Sequence, residues 1–339
     1  MIVFLTLVAV ACVDKKTQMT AQEQIRLQEV CPLEENIRPV GRPTSLDMRE
    51  DGSFLVSNGD EIIGYDASGM QTFVWNKKGR GPFEYLVSQR VRTCADRIYV
   101  WDSGSTNLIA YDRDGNGLWT YTYDSAICDF YPTETAVYFY PCGRKWESLV
   151  AVLDLESMSV IHSLGSSSMA HKMFQAMDAA VPVQMRDREL FFMPRDKMEL
   201  YRTERESPGT PSLVRRFESG SFRSEDIRED LFEKNPAAGV EFVTRNSFVV
   251  ALAVDEGSCR ILTAEGSADP GGIRNTGRIK LNNSDLHFKM YRFDGDEQAV
   301  SWCERVFNPA LISVCNGNFY VLKEDEENEK NPYRLVVLE

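Results

Sequence analysis

A short strand-like triplet recurs six times along the chain, and this repeat constrains the fold more than any other feature. Each triplet contains β-branched or aromatic residues, follows a turn, and precedes a second turn and an amphipathic strand. Val56, Tyr99 and Tyr138 are the centres of the first three triplets, at spacings of 43 and 39 residues. The six triplets are 55–57, 98–100, 137–139, 190–192, 248–250 and 319–321. A repeat of this length indicates a unit of several strands.

The first two spacings match the roughly 40 to 50 residues of a four-stranded propeller blade. The later spacings of 53, 58 and 71 residues match a blade plus an insertion. Six triplets therefore predict an all-β fold, a six-bladed β-propeller with short helical insertions between the later blades. An open β-sandwich is the main alternative, but it would not repeat the same turn chemistry about every 40 residues.

Two segments between the later blades have helical patterns. Met169, Met173 and Met177 lie four residues apart, which predicts a short helix with one apolar face. Ser224 is a plausible N-cap and Pro236 a plausible stop, so a second helix is expected between them. We interpret the methionines as packing residues rather than as a ligand platform.

The ends of the chain predict how the ring closes. The last two strands, at 319–322 and 334–338, leave the sixth blade without its outer strand. The segment 25–31 is the natural donor, because closure of this kind removes an exposed sheet edge. One propeller is therefore expected over residues 25–339.

The N-terminal segment predicts export and a lipid anchor. Residues 1–11 are apolar and run through small side chains into Cys12. This pattern is typical of a bacterial lipoprotein signal peptide, after which the thiol of Cys12 carries the lipid. A polar tether over residues 12–24 would then connect the lipid to the propeller. The alternative is that residues 1–11 form a buried N-terminal strand.

The charge balance limits the classes of partner. The chain has 51 Asp and Glu side chains, 38 Lys and Arg side chains, and a formal net charge of -13. Such a surface repels phosphate backbones, so no nucleic acid partner is expected. No apolar run reaches the roughly 18 to 20 residues that cross a bilayer. Membrane contact is therefore expected through the lipid anchor only.

One stretch of the second repeat carries a more specific motif. The stretch GRGPFEY is followed by DRIYVWDSGSTNLIAYDRDGN. These residues resemble the six-bladed propeller lipoproteins of Bacteroidetes, which are relatives of NHL-type propellers. Residues that match the blade-to-blade motif of that family are Gly79, Gly81, Pro82, Glu84 and Tyr85, whereas Phe83 replaces its third glycine. The resemblance is specific over about residues 44–120. The resemblance implies the fold and an outer-membrane lipoprotein. It does not decide on which side of that membrane the propeller lies, and it implies no ligand.

The sequence contains few motifs that would indicate a metal or a reaction. Asp112, Asp114 and Asn116 resemble the first half of a calcium loop, but Tyr123 stands where the loop needs a bidentate glutamate. We interpret this segment as a hairpin turn and expect no cofactor. A divalent metal in the central channel, held by residues from several blades, remains the alternative. That alternative would make the protein a metal-dependent propeller hydrolase or lyase of the gluconolactonase or peptidylglycine-lyase kind.

The cysteines do not form a disulfide framework, because an odd number remains once Cys12 is assigned to the lipid. Cys128 and Cys142 are the one pair that a hairpin would bring face to face. Two separate thiols are expected there, with a disulfide as the alternative.

Five residues are candidates for ligand binding. Arg80 and Glu84 lie between the first two blades, and Asp102 follows a strand of the second blade. In a propeller such positions surround a shared cavity. The competing interpretation is that Glu84 only fixes the junction between blades. Arg144 and Trp146 form a basic-aromatic pair typical of glycan or peptide contacts.

The absence of a recognisable catalytic set favours a binding or scaffold function over catalysis. The sequence therefore predicts a non-catalytic lipoprotein that holds a glycan, a peptide or a partner protein. Its ligand surface is expected at the face with the loops between blades, around Arg80, Glu84 and Asp102. The alternative is an opposite face that would carry the two helical insertions.

Overall fold

The computed structural model describes the chain from residue 23 onward, apart from short gaps. The described residues are 23–142, 146–175, 179–180, 182–204, 208–225, 227, 236–266, 286–295, 297–303, 307–325 and 332–339. Cys12, Arg144 and Met177 lie outside them. The expectations for the lipid anchor and for Arg144 therefore stay predictions.

Apart from the two-residue first strand, the described strands form six antiparallel sheets of four strands each. The first two strands are β1 (Glu23–Gln24) and β2 (Leu27–Pro32). Blade 1 contains β3 (Ser45–Met48), β4 (Phe54–Ser57), β5 (Ile62–Tyr65) and β6 (Gln71–Trp75). Blade 2 contains β7 (Ser88–Cys94), β8 (Arg97–Asp102), β9 (Asn107–Tyr111) and β10 (Gly117–Thr122). Blade 3 contains β11 (Ile127–Pro132), β12 (Ala136–Pro141), β13 (Val150–Asp154) and β14 (Ser159–Leu164).

The second half of the chain repeats this order. Blade 4 contains β15 (Val183–Arg186), β16 (Glu189–Phe192), β17 (Glu199–Glu204) and β18 (Ser212–Arg216). Blade 5 contains β19 (Ser247–Asp255), β20 (Ser258–Gly266), β21 (Leu286–Asp294) and β22 (Glu297–Cys303). Blade 6 contains β23 (Ile312–Cys315), β24 (Asn318–Glu324) and β25 (Tyr333–Leu338), and β2 completes it.

The six sheets form a ring around a central channel. The first strands of successive blades contact one another in the order β3, β7, β11, β15, β19 and β23, and β23 returns to β3. These strands are therefore the innermost ones and surround the axis. The fold is a six-bladed β-propeller, as the repeat predicted.

Neighbouring blades pack face to face through apolar side chains. Between blades 6 and 1, Leu322 and Leu335 pack with Leu46, Val56 and Ile63, all of them fully buried. Because a middle strand is covered on both faces, it reads in the sequence as a continuous apolar run rather than an alternating one. This burial explains why the triplets are visible in the sequence.

The N-terminal segment closes the ring, as predicted. β2 pairs antiparallel with β25, from Leu27 opposite Leu338 to Pro32 opposite Arg334. Pairing begins earlier than expected, because β1 pairs in parallel with the outer strand β22 of blade 5. The same segment therefore extends the sheet of blade 5 and supplies the outer strand of blade 6.

The triplet of the fifth repeat lies on a different strand from the others. Five triplets lie on the second strand of their blade, but residues 248–250 lie on the innermost strand β19. Both β19 and its partner β20 are long and largely buried. An apolar triplet cannot distinguish two such strands. The fifth blade was therefore predicted correctly, but the triplet was assigned to the wrong strand of that blade.

Two α-helices of the described residues lie in connections between blades. Helix α1 (Met169–Gln175) connects blades 3 and 4, as predicted, and it buries Ala170, His171, Phe174 and Gln175. Helix α2 (Pro236–Arg245) begins at Pro236, where the sequence predicted a stop. Proline fits the first position of a helix because its fixed φ is helical and its missing N–H would have no partner there. Most of the segment before Pro236 lies outside the described residues.

The ring has two distinct ends. The loop end carries the connections between blades, such as 76–87, and therefore also both helices. The hairpin end carries the turns between the first and second strands of each blade, such as 49–53 and 95–96. The expectation that the helices lie opposite the loops between blades was wrong, because each helix is part of such a loop.

Candidate functional site

Asp102 lies at the loop end, but its carboxylate is fully engaged by blade 2. The residue is buried at the end of β8. Its Oδ1 accepts hydrogen bonds from the N–H groups of Val87 (2.8 Å) and Gly104 (2.9 Å). Its Oδ2 accepts from the Leu86 N–H (3.0 Å) and from the Ser105 hydroxyl. Two of these donors belong to the loop that leads into β7 and two to the turn after β8, so the carboxylate connects the two segments.

Arg80 and Glu84 lie in that same loop and are exposed. The Oε2 atom of Glu84 accepts a hydrogen bond from the Gly81 N–H at 2.6 Å. A Cβ atom on Gly79 would collide with the same carboxylate, so the glycine provides its space. The contacts of Glu84 are those of a residue that fixes the junction between blades.

Phe83 adopts the backbone conformation that the family motif assigns to glycine. Its φ is 57°, in the left-handed region. The Tyr111 hydroxyl donates a hydrogen bond to the Phe83 carbonyl at 2.8 Å, and the Phe83 ring lies against Gly117. These two contacts offset the strain of a non-glycine residue at this position.

Trp146 is half-buried at the edge of blade 3. Its ring stacks on Tyr123 with 5.3 Å between ring centroids. Since Arg144 lies outside the described residues, the predicted pair stays a prediction. Trp146 itself has a packing partner within the described part of the chain.

At the loop end, buried side chains close the channel. Arg195 is fully buried, and its guanidinium donates to the carbonyls of Val249 (3.1 Å) and Ala180 (2.8 Å) and to Gln175 Oε1 (2.8 Å). The Ala180 N–H donates to the Pro309 carbonyl at 2.7 Å. These contacts connect the insertion that follows α1 with blades 5 and 6.

Arg90 extends this closure to blades 1 and 3. Its guanidinium donates to the carbonyls of Thr44 (2.6 Å) and Cys128 (3.0 Å). The Cys128 thiol in turn lies 3.0 Å from the Gln175 carbonyl. A continuous set of hydrogen bonds therefore crosses the channel from blade 1 to blade 5.

Cys128 and Cys142 are separate thiols in the structure. Burial raises the pKa of the Cys128 thiol well above its usual value. A hydrogen bond with Cys128 lowers the pKa of Cys142. The two sulfur atoms are therefore close enough to interact, as the hairpin predicted.

At the hairpin end, the channel opens into a cavity of about 920 Å³ to which all six blades contribute. We call this cavity the mouth. Residues that line the mouth include Arg49, Thr93, Tyr131, Arg186, Asp255 and Asn316, one from each blade. A smaller chamber of about 90 Å³ continues from the mouth toward the closed end.

Two carboxylates and one arginine line the smaller chamber, which we call the floor of the mouth. A guanidinium nitrogen of Arg92 forms an ion pair with Asp129, and another donates to the Leu46 carbonyl at 3.0 Å. Asp47 accepts hydrogen bonds from the N–H (2.9 Å) and hydroxyl (2.7 Å) of Thr93. Burial raises the pKa of Asp47, and the nearby Arg92 opposes this shift. The floor is therefore polar and internally paired.

The wall of the mouth offers polar groups with fewer contacts. The buried Nε of Arg49 has no hydrogen-bond partner in the described part of the chain. Tyr131 lines both the mouth and the smaller chamber. Burial, together with Asp47, raises the pKa of its phenol to about 12, so it is a neutral hydroxyl at physiological pH. Both groups can hydrogen-bond to a molecule in the mouth.

The sequence prediction missed Asp47, Arg92 and Asp129, although one signal was present. Arg90 and Arg92 alternate on β7, so they lie on the same face of the innermost strand of their blade. An innermost strand can place alternating charges only toward the channel or a neighbouring blade. The partners of Arg92, in contrast, come from other blades and cannot be identified from spacing.

The described residues include neither a cluster of metal ligands nor a membrane-spanning helix. No group of three or more His, Cys, Asp and Glu side chains there is arranged to hold a metal ion. Neither of the two described helices is long and apolar enough to span a membrane.

Comparison with known proteins identifies the fold. No protein-family model matches the chain, and no curated protein matches it. A Bacteroides fragilis NCTC 9343 protein, named as an exported protein, superimposes with a TM-score of 0.63 at 12% identity, over 95% of this chain and 97% of that chain. A member of the DUF4221 family from Bacteroides vulgatus ATCC 8482 gives a TM-score of 0.60 at 11% identity, over 94% and 99%. At these identities the likeness concerns the propeller fold alone.

Proposed function

We propose that this chain is an exported, lipid-anchored propeller that binds a polar ligand in the mouth of its channel without chemical turnover. The apolar segment 1–11 followed by Cys12 supports the anchor. The name of the similar Bacteroides fragilis protein agrees with export. The outer membrane is the proposed location of the protein. This part of the proposal rests on the resemblance of residues 44–120 to propeller lipoproteins.

The observation that carries the proposal is the contrast between the two ends of the channel. All six blades contribute to the mouth at the hairpin end, whereas Arg90 and Arg195 close the loop end. Concave sites with a few polar groups are the usual places for ligands. The carboxylates of Glu84 and Asp102 are engaged in their own loop, so we prefer the mouth to the surface around them.

The chemistry of the mouth favours a ligand with both donors and acceptors. Its rim carries basic residues such as Arg113 and Arg186 and acidic residues such as Asp187 and Asp255. The Arg49 side chain adds a donor, and the Tyr131 hydroxyl is both a donor and an acceptor. A glycan, a peptide or a segment of a partner protein has the required mixture of groups.

The test is calorimetric titration of the purified protein with a panel of oligosaccharides and short peptides. Arg49→Gln and Tyr131→Phe are expected to weaken the binding of any hit about tenfold or more, because each removes a hydrogen-bonding group from the wall. Arg80→Gln is the matched control, since it removes an exposed arginine at the opposite end. Glu84→Gln and Asp102→Asn complete the comparison.

Two results would contradict the proposal. Affinity that falls in Arg80→Gln, Glu84→Gln or Asp102→Asn but not in Arg49→Gln would move the site to the loop end. Metal-dependent hydrolysis of a lactone or an ester, lost in Asp47→Asn while the fold survives, would make the protein an enzyme instead.

A further inference from the structure

A second cavity lies on the side of the ring, between blades 3 and 4. Its volume is about 720 Å³, and none of its lining residues lines the mouth. Residues of the outer strand β14 form one wall, and residues of β17 with the loop 208–211 form the other. We call this cavity the lateral groove. Residues that matter for its chemistry are His162, Ser168, Asp196, Lys197, Glu199 and Tyr201.

Asp196 is a buried carboxylate in this groove with one oxygen atom unused. Only 2% of the residue is exposed. The Ser168 hydroxyl donates to its Oδ2, and the Ser224 hydroxyl donates to its main-chain carbonyl at 2.6 Å. Its Oδ1 has no hydrogen-bond partner among the described residues. Burial raises the pKa of this carboxyl group, and the hydrogen bond from Ser168 and the nearby Lys197 oppose part of this shift.

An unused oxygen on a buried carboxylate needs an explanation. Buried polar atoms in folded proteins almost always have a partner, because an unsatisfied one destabilises the fold. The serine contacts hold Asp196 in place but leave one acceptor without a partner, in a residue that lines the groove. A ligand with a hydrogen-bond donor would satisfy that acceptor.

The remaining lining indicates which ligand fits. Glu199 pairs with Arg216, and Lys197 offsets the charge of Asp196, so there is no strong field for a charged ligand. The lining also includes the hydroxyls of Ser163, Ser166 and Thr210. A balanced lining that is rich in hydroxyls suits a neutral molecule that carries many hydroxyls of its own.

Tyr201 supplies a rigid aromatic surface beside these polar groups. Its hydroxyl donates to Glu199 Oε2 at 2.7 Å, and its ring stacks on Phe192 with 5.8 Å between centroids. Aromatic side chains with a fixed polar tip present an apolar ring next to hydrogen-bonding groups. A sugar ring has the complementary character, with an apolar C–H face and hydroxyls at its edge.

We propose that the lateral groove binds a neutral sugar unit, with the Asp196 carboxylate accepting a hydrogen bond from a sugar hydroxyl. A hydrogen bond from a hydroxyl to an ionised carboxylate is stronger than one between neutral groups. Asp196 therefore sets the orientation of the sugar, and the Tyr201 ring provides its apolar contact. The site is independent of the mouth, because the two cavities share no lining residue.

Gly209 allows the groove to be filled without disturbing the fold. It is exposed on the loop that forms one wall, and a Cβ atom there would meet nothing within 4 Å. Gly220 has the same open surroundings but does not line the groove. Gly209→Phe and Gly220→Phe are therefore a matched test and control.

In the experiment, the purified protein is titrated with neutral monosaccharides and disaccharides. Binding is measured by calorimetry and by the change in melting temperature. Wild-type protein and Gly220→Phe are expected to bind the same sugar equally, and Gly209→Phe is expected to lose it. Asp196→Asn is expected to weaken it about tenfold or more without a lower melting temperature, because the amide oxygen can still accept from Ser168 and burial disfavours the carboxylate. Arg49→Gln in the mouth is expected to leave this affinity unchanged.

Several results would overturn the proposal. One is that no neutral sugar binds to the wild-type protein, and another is that binding survives in both Gly209→Phe and Asp196→Asn. A large fall in the melting temperature of Asp196→Asn would assign the carboxylate a structural role. Binding of an alkylammonium probe instead of sugars, lost in Gly209→Phe, would replace the sugar with a cationic ligand.

Discussion

Arginine is the residue that satisfies the innermost strands of this propeller. Those strands pair on one side only, so they leave main-chain carbonyls directed at the channel. The guanidinium groups of Arg90, Arg92 and Arg195 donate to such carbonyls, at Thr44, Leu46 and Val249 among others. The planar guanidinium group has five donors, which lets one side chain bridge several blades. The closed end of the channel depends on this property.

The contact between Gly117 and the ring of Phe83 gives a prediction for stability. A Cβ atom on Gly117 would collide with the Phe83 ring, although the φ of Gly117 suits any residue. Gly117→Ala is therefore expected to lower the free energy of unfolding by about 1–3 kcal/mol, the usual effect of overpacking. In the Phe83→Gly background the same substitution is expected to have little effect. Denaturant unfolding of the four proteins in this cycle measures the coupling, and equal effects in both backgrounds would exclude the contact.

His171 gives a prediction for pH dependence. It is buried, and its Nδ1 accepts a hydrogen bond from the Arg195 N–H at 2.9 Å. Burial, with Arg195 and Lys172 nearby, lowers its pKa from 6.5 to about 3. Below pH 6.5 the unfolded chain binds a proton at this residue that the folded chain does not. Its contribution to stability is therefore complete above about pH 6.5 and is lost as the pH falls toward 3.

The loss at pH 5 amounts to about 2 kcal/mol relative to neutral pH. Comparison with His171→Asn isolates this effect, because the amide oxygen can accept the same hydrogen bond but does not titrate. The difference in unfolding free energy between the two proteins is expected to shrink by that amount between pH 7.5 and 5. His287→Asn, at an exposed position on β21, is the control. Parallel curves for wild type and His171→Asn would contradict the prediction.

At the scale of elements, local patterns predicted strands well but not their exact roles. The triplets identified five second strands because those strands are buried on both faces. The fifth repeat placed its triplet on β19, since two long buried strands look alike in sequence. Pro236 begins α2, and its predicted role as the stop of the preceding helix stays a prediction, because most of that segment lies outside the described residues. A proline indicates a helix boundary, and only the surrounding structure decides which boundary it is.

Closure of the ring by β1 and β2 predicts how the loss of these strands changes stability and aggregation. Deletion of residues 23–32 removes both β1 and β2, which leaves the outer strands β22 and β25 as exposed edges. The melting temperature is expected to fall and the protein to aggregate, because open edges pair with other chains. Deletion of residues 13–22, the predicted tether, is the control and is expected to change neither. Thermal melts and size-exclusion chromatography measure the two effects. A protein without residues 23–32 that melts like its parent would exclude this closure.

At the scale of the whole molecule, the fold was predictable and the site was only partly so. The repeat and the motif around Glu84 were enough for the six-bladed propeller. The floor of the mouth was not predictable, because Asp47, Arg92 and Asp129 come from three blades and meet only when the ring closes. Asp102 and Glu84 form hydrogen bonds at a junction between blades, and their role in ligand binding stays a prediction.

The lipid anchor is also a property of the whole molecule, and it stays a prediction. Wild-type protein is expected to incorporate a fatty-acid analogue and to fractionate with membranes, because the thiol of Cys12 would carry the lipid. Cys12→Ser is expected to lose both properties. Cys315→Ser, which removes a thiol from the mouth, is the control. A Cys12→Ser protein that stays labelled and membrane-bound would show that the lipid is attached elsewhere or absent.

The channel is open at the hairpin end and closed at the loop end, and we propose that the ligand occupies the open end. Cys315 lines the mouth and is half-buried, whereas Cys128 is buried among the residues that close the channel. Alkylation of the folded protein, mapped by mass spectrometry, measures both thiols in one experiment. Burial raises the pKa of Cys315 to about 11, so the reaction is run at about pH 9 to provide enough thiolate.

Cys315 is expected to react in the folded protein, and Cys128 only after unfolding. A ligand identified by titration is expected to slow the reaction of Cys315 in proportion to its occupancy. Reaction of Cys128 as fast as Cys315 in the folded protein, or a saturating ligand that leaves Cys315 equally reactive, would contradict the claim.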